Sequence, residues 1–407
     1  MKNNKNAISL IVLVITIIIL AVLAAVVIVN LFEDDGLINT SKDAVMTNYE
    51  AMAKEDIATA WAEVMVQYTG SQGNGVSKEE FFSEERLNNY LPSKGRVLYS
   101  DGVEYTVYSS DTSKMTYLFR INEAGIVETI KKVETSKLKY GRAADIITPE
   151  TYGNDVLYSA NGVNNWKIFY NDSDNIFIIT SDYLLSEKIP SQVPLPKRVG
   201  KYAVSWAHMD TGLAAITITI DTGVSSKFML KGIELFSPSN NNYRAVATLL
   251  NTEYWSAFVN SNYAEAAIGS PTADMWVESW NDKFDDDVTL THNNLGYKVS
   301  GGISSSDEYQ TKVVDIATSN YEDIAVYFPW TTNKDNDGNT LSGYHLASPS
   351  ACLNSKLAPG TYIMRINYDG RVYYNDYWQC NRALRPVVCI KDLNVYGFGD
   401  LWLLTNQ

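Results

Sequence analysis

The sequence predicts an α+β fold: a long N-terminal helix, first transmembrane and then amphipathic, with a small antiparallel sheet, followed by a second α+β domain. Three observations predict it. An apolar run fills residues 8–32, apolar residues recur at helical spacing over 37–69, and short β-branched and aromatic runs recur further on. The 407 residues suit two or three domains. The predicted segments are a leader (1–7), a transmembrane helix (8–32), a helix with a small sheet (33–133), a linker (134–155) and a C-terminal domain (156–407).

The apolar run from Ile8 to Phe32 predicts a membrane-spanning helix. As a helix it reaches roughly 37 Å, and the core of a bilayer is about 30 Å thick. Lys2 and Lys5 precede the run and the acidic segment Glu33–Asp35 follows it, which indicates a cytoplasmic N-terminus and an extracellular body. A secretory signal peptide is the alternative, but it has a shorter apolar core and a small-residue cleavage site. A single-pass anchor in the cell membrane is therefore favoured.

The segment Lys5–Thr16 resembles the prepilin-type N-terminal signal of type IV pilins and pseudopilins. The resemblance implies that a prepilin peptidase cuts after Ala7 and that the new N-terminus, Ile8, is methylated. It also implies that the apolar helix packs among other pilin subunits in a surface filament. Ala7 stands where the family usually has Gly, and Val12 stands where it usually has Glu. Some minor subunits at filament tips also lack that Glu, so the resemblance is to a minor or tip pilin.

Residues 37–69 predict one amphipathic helix, because apolar side chains recur every three or four positions and Gly70 opens a glycine-rich stop. Residues 78–91 predict a short second helix that ends before Pro92. A hairpin loop is predicted at 122–125. The strands predicted to pack on the long helix are Gly102–Tyr108, Met115–Ile121 and Ile126–Ile130.

Residues 134–155 are polar and carry Gly, Thr and Pro, so they predict a linker. Beyond it, short strand-like runs are interspersed with two helical segments, which is the basis for an α+β C-terminal domain. The predicted strands are Trp166–Tyr170, Ile176–Ser181, Tyr362–Asn367, Arg371–Tyr374 and Pro386–Ile390. The predicted helices are Ala245–Asn260 and Pro271–Phe284.

Three phrases of this region resemble a domain that is widespread in Gram-positive surface proteins: Asn165–Tyr170, Gly343–Ser350 and Leu384–Val388. Their order is similar to that in the fold group of C-type lectins and formylglycine-generating enzymes. The resemblance implies a C-type-lectin-like domain that binds ligands through its loops. Enzymes of the group rely on a reactive cysteine pair. Because Cys380 and Cys389 do not stand in a matching context, no enzymatic activity is implied.

Composition narrows the classes of partner. The formal net charge of −14 argues against nucleic acid. The three histidines lie far apart and show no zinc-like spacing. The three cysteines allow one disulfide, either Cys380–Cys389 or Cys352–Cys380, and three buried free thiols are at least as compatible with the sequence.

A stretch rich in aromatic and amide side chains near the C-terminus is the candidate ligand-binding site. Flat rings can cover the apolar faces of a sugar or peptide, while Asn and Asp fix its polar groups. The alternative is a pair of strands whose rings face the core, joined by a turn at Asp369–Gly370. The candidate ligand-binding residues are Tyr368, Tyr373, Tyr374, Asn375, Asp376, Tyr377 and Trp378.

A candidate metal site lies at Asp335, Asp337 and Asn339, whose alternation around Gly338 resembles the opening of a calcium loop. Tyr344 stands where such a loop needs its bidentate Glu. A polar turn is therefore the simpler interpretation, and a structural calcium ion is the alternative. No other cofactor is predicted.

Two more polar groups have structural interpretations beside their functional ones. Asp282 and the run Asp285–Asp287 could supply a catalytic carboxylate pair, but a helix that ends in a solvated loop explains them equally well. For Arg382 and Arg385 we expect a buried arginine that pairs with a carboxylate near the terminal strand.

Together, the two resemblances imply a non-enzymatic protein of the cell surface. It would be a minor or tip pilin, or an adhesin, whose C-terminal domain binds a carbohydrate or protein ligand. The first alternative is a pseudopilin-type structural component of a secretion or DNA-uptake machine. The second is an anchored surface hydrolase, for which the sequence offers no recognisable catalytic motif.

Overall fold

Two units make up the chain, Met1–Thr135 and Ser136–Gln407. The structure is a computed structural model. The residues that it describes are 37–71, 86, 88–91, 95–100, 103–109, 115–122, 124–193, 196–199, 202–205, 219–220, 233–234, 250, 253–288, 310–315, 317–329, 343–350, 362–367, 370–376 and 383–405.

The first unit pairs one long helix with a four-stranded antiparallel sheet. Helix α1 is Leu37–Ser71, so the prediction of a helix over 37–69 is confirmed. The strands β1 to β4 lie in chain order across the sheet: Gly95–Ser100, Val103–Ser109, Met115–Ile121 and Val127–Glu134. Each strand pairs with the next in the chain, so short connections suffice to build the sheet.

The core of the first unit lies between α1 and β3. Residues one or two helical turns apart on α1 are buried against alternate residues of β3, which is the spacing that each element requires. The buried residues are Ala53, Ile57, Trp61, Val64, Tyr117, Phe119 and Ile121. The hairpin from β3 to β4 needs glycine at position 125. There φ is +77°, and a Cβ atom would lie 2.5 Å from the ring of Trp61.

The second unit is built mainly of strands. Its helices are α2, Ala143–Ile146, α3, Ala273–Phe284, and α4, Tyr321–Ile324. Its strands β5 to β20 are, in chain order, Lys139–Arg142, Asp155–Leu157, Trp166–Asn171, Ile176–Thr180, Pro196–Val199, Tyr202–Ser205, Thr219–Ile220, Ile233–Glu234, Ala264–Ile268, Gln310–Lys312, Gly343–Ser350, Tyr362–Asn367, Arg371–Asp376, Val387–Ile390, Asn394–Phe398 and Leu401–Thr405.

Most of these strands belong to two sheets. The larger has eight strands in the order β13-β18-β8-β7-β6-β20-β19-β5, and the smaller has four in the order β14-β17-β16-β15. Neighbours are antiparallel except for the parallel pair β20 and β6. The connection from β18 to β19 is only residues 391–393, yet four strands lie between these two in the sheet.

That short connection requires the eight-stranded sheet to curl. Five strand spacings of about 4.8 Å would separate β18 from β19 by roughly 24 Å if the sheet were flat. The chain from Ile390 to Asn394 reaches at most about 15 Å. The sheet must therefore bend until its two ends approach each other. At each end of the connection a 2.8 Å backbone hydrogen bond extends a ladder: Lys391 N donates to the Tyr263 carbonyl beside β13, and Ala143 N donates to the Leu393 carbonyl beside β5.

One apolar cluster fills the second unit and joins its two sheets. All five residues of β8 are buried, as expected for a strand covered on both faces. Helix α3 lies on β7, where the Ser279 hydroxyl donates to the Phe169 carbonyl at 2.6 Å. The smaller sheet is tied to the chain before β18 by a hydrogen bond from Ala383 N to the Gly343 carbonyl, 2.9 Å.

The prediction of an α+β fold with a C-type-lectin-like second domain is wrong. Within the described ranges, the second unit is rich in sheet, and its longest helix, α3, has 12 residues. Of the segment predicted as a helix, Ala245–Asn260, the described residues are 250, which is helical, and 253–260, which contain the 3₁₀ turn Glu253–Phe258 with Trp255 and Phe258 buried. The physical reason is that short apolar runs far apart in the sequence pair with one another as β-strands. Such long-range pairing leaves no mark on the local spacing from which helices are predicted.

The predicted helix Pro271–Phe284 is confirmed as α3, Ala273–Phe284, and five predicted strands are confirmed as well. β7, β8, β16, β17 and β18 fall within two residues of their predicted bounds. The segment 134–155, predicted as a linker, instead supplies β5 and α2. Ala143 in this segment is buried in the main core, so the body begins before residue 156.

Several predictions concern residues outside the described ranges. These include the leader at 1–7, the apolar run at 8–32 and most of the short helix predicted over 78–91. None of the helices within the described residues is both long enough and apolar enough to cross a bilayer.

Candidate functional site

The predicted ligand-binding residues are only partly described. Tyr368, Tyr377 and Trp378 lie outside the described residues, while the backbone of Tyr373, Tyr374, Asn375 and Asp376 forms most of β17. The metal candidates Asp335, Asp337 and Asn339 and the processing residues Ala7 and Ile8 also lie outside them. The calcium and cleavage predictions therefore stay predictions.

Strand β17 lies inside the four-stranded sheet. Tyr373 stands opposite Gln310 on one side and opposite Arg365 on the other, and Arg365 in turn stands opposite His345. His345 is fully buried and Arg365 nearly so. Burial, followed by the positive charge of Arg365, lowers the pKa of His345 to about 3. His345 is therefore neutral at physiological pH.

The carboxylates at the end of α3 have structural roles in the described structure. Asp282 accepts a hydrogen bond of 2.7 Å from the Tyr152 hydroxyl, and burial raises the pKa of Tyr152 far above its usual value. Asp285 ends the helix in the left-handed conformation, with φ of +50°. Asp286 accepts from the indole N–H of Trp280 at 2.9 Å. These contacts hold α3 in place rather than aim two carboxylates at a common point.

Arg385 is fully buried, but its hydrogen-bond acceptors are backbone carbonyls. Its guanidinium donates to Val326 at 2.7 Å and to Thr180 at 2.5 Å, and it lies 5.1 Å from the centre of the Tyr344 ring. No described carboxylate forms an ion pair with it, so the predicted partner is corrected. The arginine instead joins the chain before β18 to β8 and to the region after α4.

Cys389 is buried and free, so the predicted alternative of a Cys380–Cys389 bridge is not formed. Burial raises the pKa of its thiol. Cys352 and Cys380 lie outside the described residues. No group of three or more His, Cys, Asp or Glu side chains that could hold a metal ion occurs within the part of the chain that the structure describes.

The strongest candidate for a binding site is a groove where the two ends of the curled sheet meet. We call it the seam groove. Its volume is about 490 Å³, within the range of small-ligand sites. The lining residues come from both ends of the sheet and from the connection between β18 and β19. They are Arg142, Asn262, Lys391, Asp392, Leu393, Asn394 and Thr405.

The strand register places three of these residues in one row. Arg142 on β5 stands opposite Asn394 on β19, which stands opposite Thr405 on β20. The next row on the same face begins with Tyr140 and Tyr396, about 7 Å away. Their ring centres are 4.3 Å apart, and Tyr140 is 48% exposed. An open aromatic ring therefore borders the polar groove.

The charges in the seam groove are largely paired. Arg142 donates from Nε to Asp392 Oδ1 at 2.6 Å, and its Nη1 lies 3.8 Å from Asp145 Oδ1. The hydrogen bond between Arg142 and Asp392 is the main reason why the pKa of the Arg142 guanidinium is raised and the pKa of the Asp392 carboxyl is lowered. The Lys391 ammonium donates to the Ser261 carbonyl. Both cations are thus held in place by protein oxygens.

Other groups of the seam groove still have hydrogen-bonding capacity. Thr405 is 3% exposed, and its hydroxyl has no hydrogen-bond partner among the described residues. Asn262 is exposed, and its side-chain amide makes no hydrogen bond to the described part of the chain. Asp392 Oδ2 is similarly available. The Thr405 hydroxyl, the Asn262 amide and Asp392 Oδ2 can therefore form hydrogen bonds with a ligand or water that enters the groove.

Sequence reasoning missed the seam groove. Its central contact joins Arg142 and Asp392, which are 250 residues apart, and residue 142 was assigned to a linker. One signal is present in the sequence: the charged pair Lys391–Asp392 interrupts an apolar run. Its length suggests a tight turn between neighbouring strands, whereas the structure uses it to join opposite ends of a curled sheet.

No family model, curated protein or solved structure matches the chain.

Proposed function

We propose that this chain is a membrane-anchored, externally displayed binding protein without enzymatic activity: a minor or tip pilin, or an adhesin, whose C-terminal body binds a surface ligand. The observation that carries the binding role is the seam groove, a polar site held on a rigid sheet. The anchor and the orientation rest on the sequence of residues 1–35.

The groove chemistry supports recognition more than catalysis. Its cations are fixed by Asp392 and by the Ser261 carbonyl, which leaves donors and acceptors in defined positions. Preorganised polar groups of this kind select a ligand at low entropic cost. An arginine cannot lose its proton near neutral pH, so it suits binding better than proton transfer.

The N-terminal segment supports display through prepilin-type processing. Cleavage after Ala7 would leave Ile8 as the methylated first residue of a helix that spans the membrane. The partners would then be the membrane through residues 8–32, a prepilin peptidase and other pilin subunits. The absence of a carboxylate at Val12 favours a position at a filament tip over one in its shaft.

The test uses the full chain in intact cells that also make a prepilin peptidase. External protease should remove the body, and the mature N-terminus should begin at N-methylated Ile8 by intact-mass measurement. An Ala7→Leu variant is the matched control, which should keep its leader while its body stays accessible. If the body of the unaltered chain were protected from protease until the cells are lysed, the proposal would be wrong.

A second candidate, a pseudopilin-type structural subunit, is favoured by one observation on α1. Val45, Met52 and Val66 are 47%, 48% and 70% exposed, and they stand seven or fourteen residues apart on one line of the helix. Such a stripe suits packing against other helices. Cysteine at Val66 should then form crosslinks to co-assembled subunits, whereas cysteine at Thr47, which is exposed on another face of α1, should not. Crosslinking without any ligand binding would favour this role.

A further inference from the structure

The seam groove has the rigidity that ligand recognition needs. Its walls belong to opposite ends of the eight-stranded sheet, and the three-residue connection 391–393 limits the distance between them. Asn394 and Thr405 lie at fixed register positions on the floor. A ligand would therefore meet a preformed surface and would order little of it.

Its polar groups are mixed in a way that suits hydroxyl groups. An amide offers donor and acceptor together, a carboxylate accepts, and an ammonium or guanidinium donates. The groove has both amides and a carboxylate in its lining: the amides of Asn262 and Asn394 and the carboxylate of Asp392. The Thr405 hydroxyl, which has no side-chain hydrogen bond to the described residues, can do either. Each hydroxyl of a sugar can both donate and accept a hydrogen bond, so a row of sugar hydroxyls matches this mixture of donors and acceptors.

The charge balance of the groove argues for an uncharged ligand. Arg142 and Lys391 are offset by Asp392 and by Asp145 at the rim, so little net charge remains. The whole chain carries −14, which opposes the approach of anions. An anionic ligand would need a free cation, and both cations here already donate to protein oxygens.

The exposed ring of Tyr140 adds the apolar element. It lies two residues from Arg142 on the same face of β5, and Tyr396 supports it from below. A supported, half-exposed ring beside a row of polar groups can cover the apolar face of a pyranose while the groove binds its hydroxyls.

We infer that the seam groove binds a neutral glycan, with Tyr140 covering a sugar ring and Asn262, Asn394 and Thr405 bonding its hydroxyls. This inference rests on the proposed binding function and specifies its ligand class. It places the ligand site at the seam rather than on β17.

The experiment measures binding of neutral and anionic glycans to the full-length protein in dodecyldimethylamine oxide, a detergent without a sugar headgroup. Glycans from an array are followed by titration calorimetry of the best neutral ligand. We expect Asn262→Ala and Tyr140→Ala to weaken binding about tenfold each. The matched controls are Asn164→Ala and Tyr321→Ala, exposed residues outside the groove, which should leave affinity unchanged.

Thr405→Val serves as the test of the groove floor, because it removes the hydroxyl and keeps the shape. Reduced affinity with an unchanged melting temperature supports the inference. If no neutral glycan binds, if the best ligand is anionic, or if the groove variants bind as tightly as the controls, the inference is overturned. Those outcomes are separable from failure of the proposed function, because the protease test of display is independent of any glycan.

Discussion

Two arginines of the second unit show how differently one side chain can be used. Arg385 is fully buried, donates to two backbone carbonyls and packs against the Tyr344 ring. Arg142 lies at the seam groove with half of its side chain exposed, and it binds the exposed Asp392. The first links segments that are distant in the chain, whereas the second closes one wall of a surface site.

The difference teaches that burial decides what a polar contact contributes. Where water is excluded, as around Arg385, the contact stabilises the fold; where water has access, as at Arg142, the side chains are available to a ligand. Around Arg385, each lost hydrogen bond leaves a buried group without water to replace it. At the seam groove, water can replace a lost contact, so stability depends little on any one side chain. Variants in the two places should therefore separate stability from binding.

The largest effect is expected for Arg385→Ala. It removes two hydrogen bonds, leaves the carbonyls of Val326 and Thr180 without their donor and opens a cavity beside Tyr344. We expect a loss of about 3 to 5 kcal/mol in the free energy of unfolding. Urea unfolding followed by Trp fluorescence measures it. A loss below about 1 kcal/mol would contradict the structural role.

A pair of glycines extends the same comparison to the backbone. Gly343 has φ of +113°, and a Cβ atom there would lie 1.9 Å from the Ile366 carbonyl oxygen. Gly399 has φ of +73°, but its Cβ would meet nothing within 4 Å. We expect Gly343→Ala to cost about 2 to 4 kcal/mol and Gly399→Ala about 1 kcal/mol. Equal midpoints of thermal unfolding for the two variants would be inconsistent with this packing.

His345 gives the buried region a pH dependence. Its pKa of about 3 lies below the usual value of 6.5, so between these pH values the unfolded chain binds a proton that the folded chain does not. Stability should therefore fall as the pH drops below 6.5, by up to about 1.4 kcal/mol per pH unit from this group. His345→Gln should remove that contribution. The measurement is the difference between the slopes of the two proteins from pH 6.5 to 4, and identical slopes would contradict it.

The smallest effect on stability is expected at the seam groove. Arg142→Ala removes an exposed ion pair, and we expect no measurable change in the urea midpoint. Glycan affinity should nevertheless fall, because Asp392 loses the donor that holds it. A stability loss comparable to that of Arg385→Ala would mean that the groove residues are structural.

Part of the fold could be predicted from local patterns. Helix α1, strand β3 and the hairpin at Gly125 all depend on residues close together in the chain, and each was predicted within two residues. Strands such as β8 were found because apolar runs mark them. At 253–258 the chain forms a 3₁₀ turn where a helix is predicted, because local spacing cannot tell a helix from a buried 3₁₀ turn that packs its aromatics beside β13.

The candidate site could not be predicted in the same way. Tyr373 and its neighbours attracted attention through composition, yet their importance depends on what stands opposite them, and that is decided by strand register. The sequence around Arg142 and around Asn262 contains no recognisable binding motif. They become a site only because the eight-stranded sheet curls and brings β5 beside the start of β13.

The sequence by itself determined the long helix α1, the acidic charge and the positions of many strands, because spacing and composition act locally. Only the tertiary structure decided the order of the strands, the neutral state of His345 and the meeting of Arg142 with Asp392. These depend on contacts between residues tens to hundreds of positions apart. Such contacts form when burial of a shared core outweighs the entropy lost in closing the chain between them.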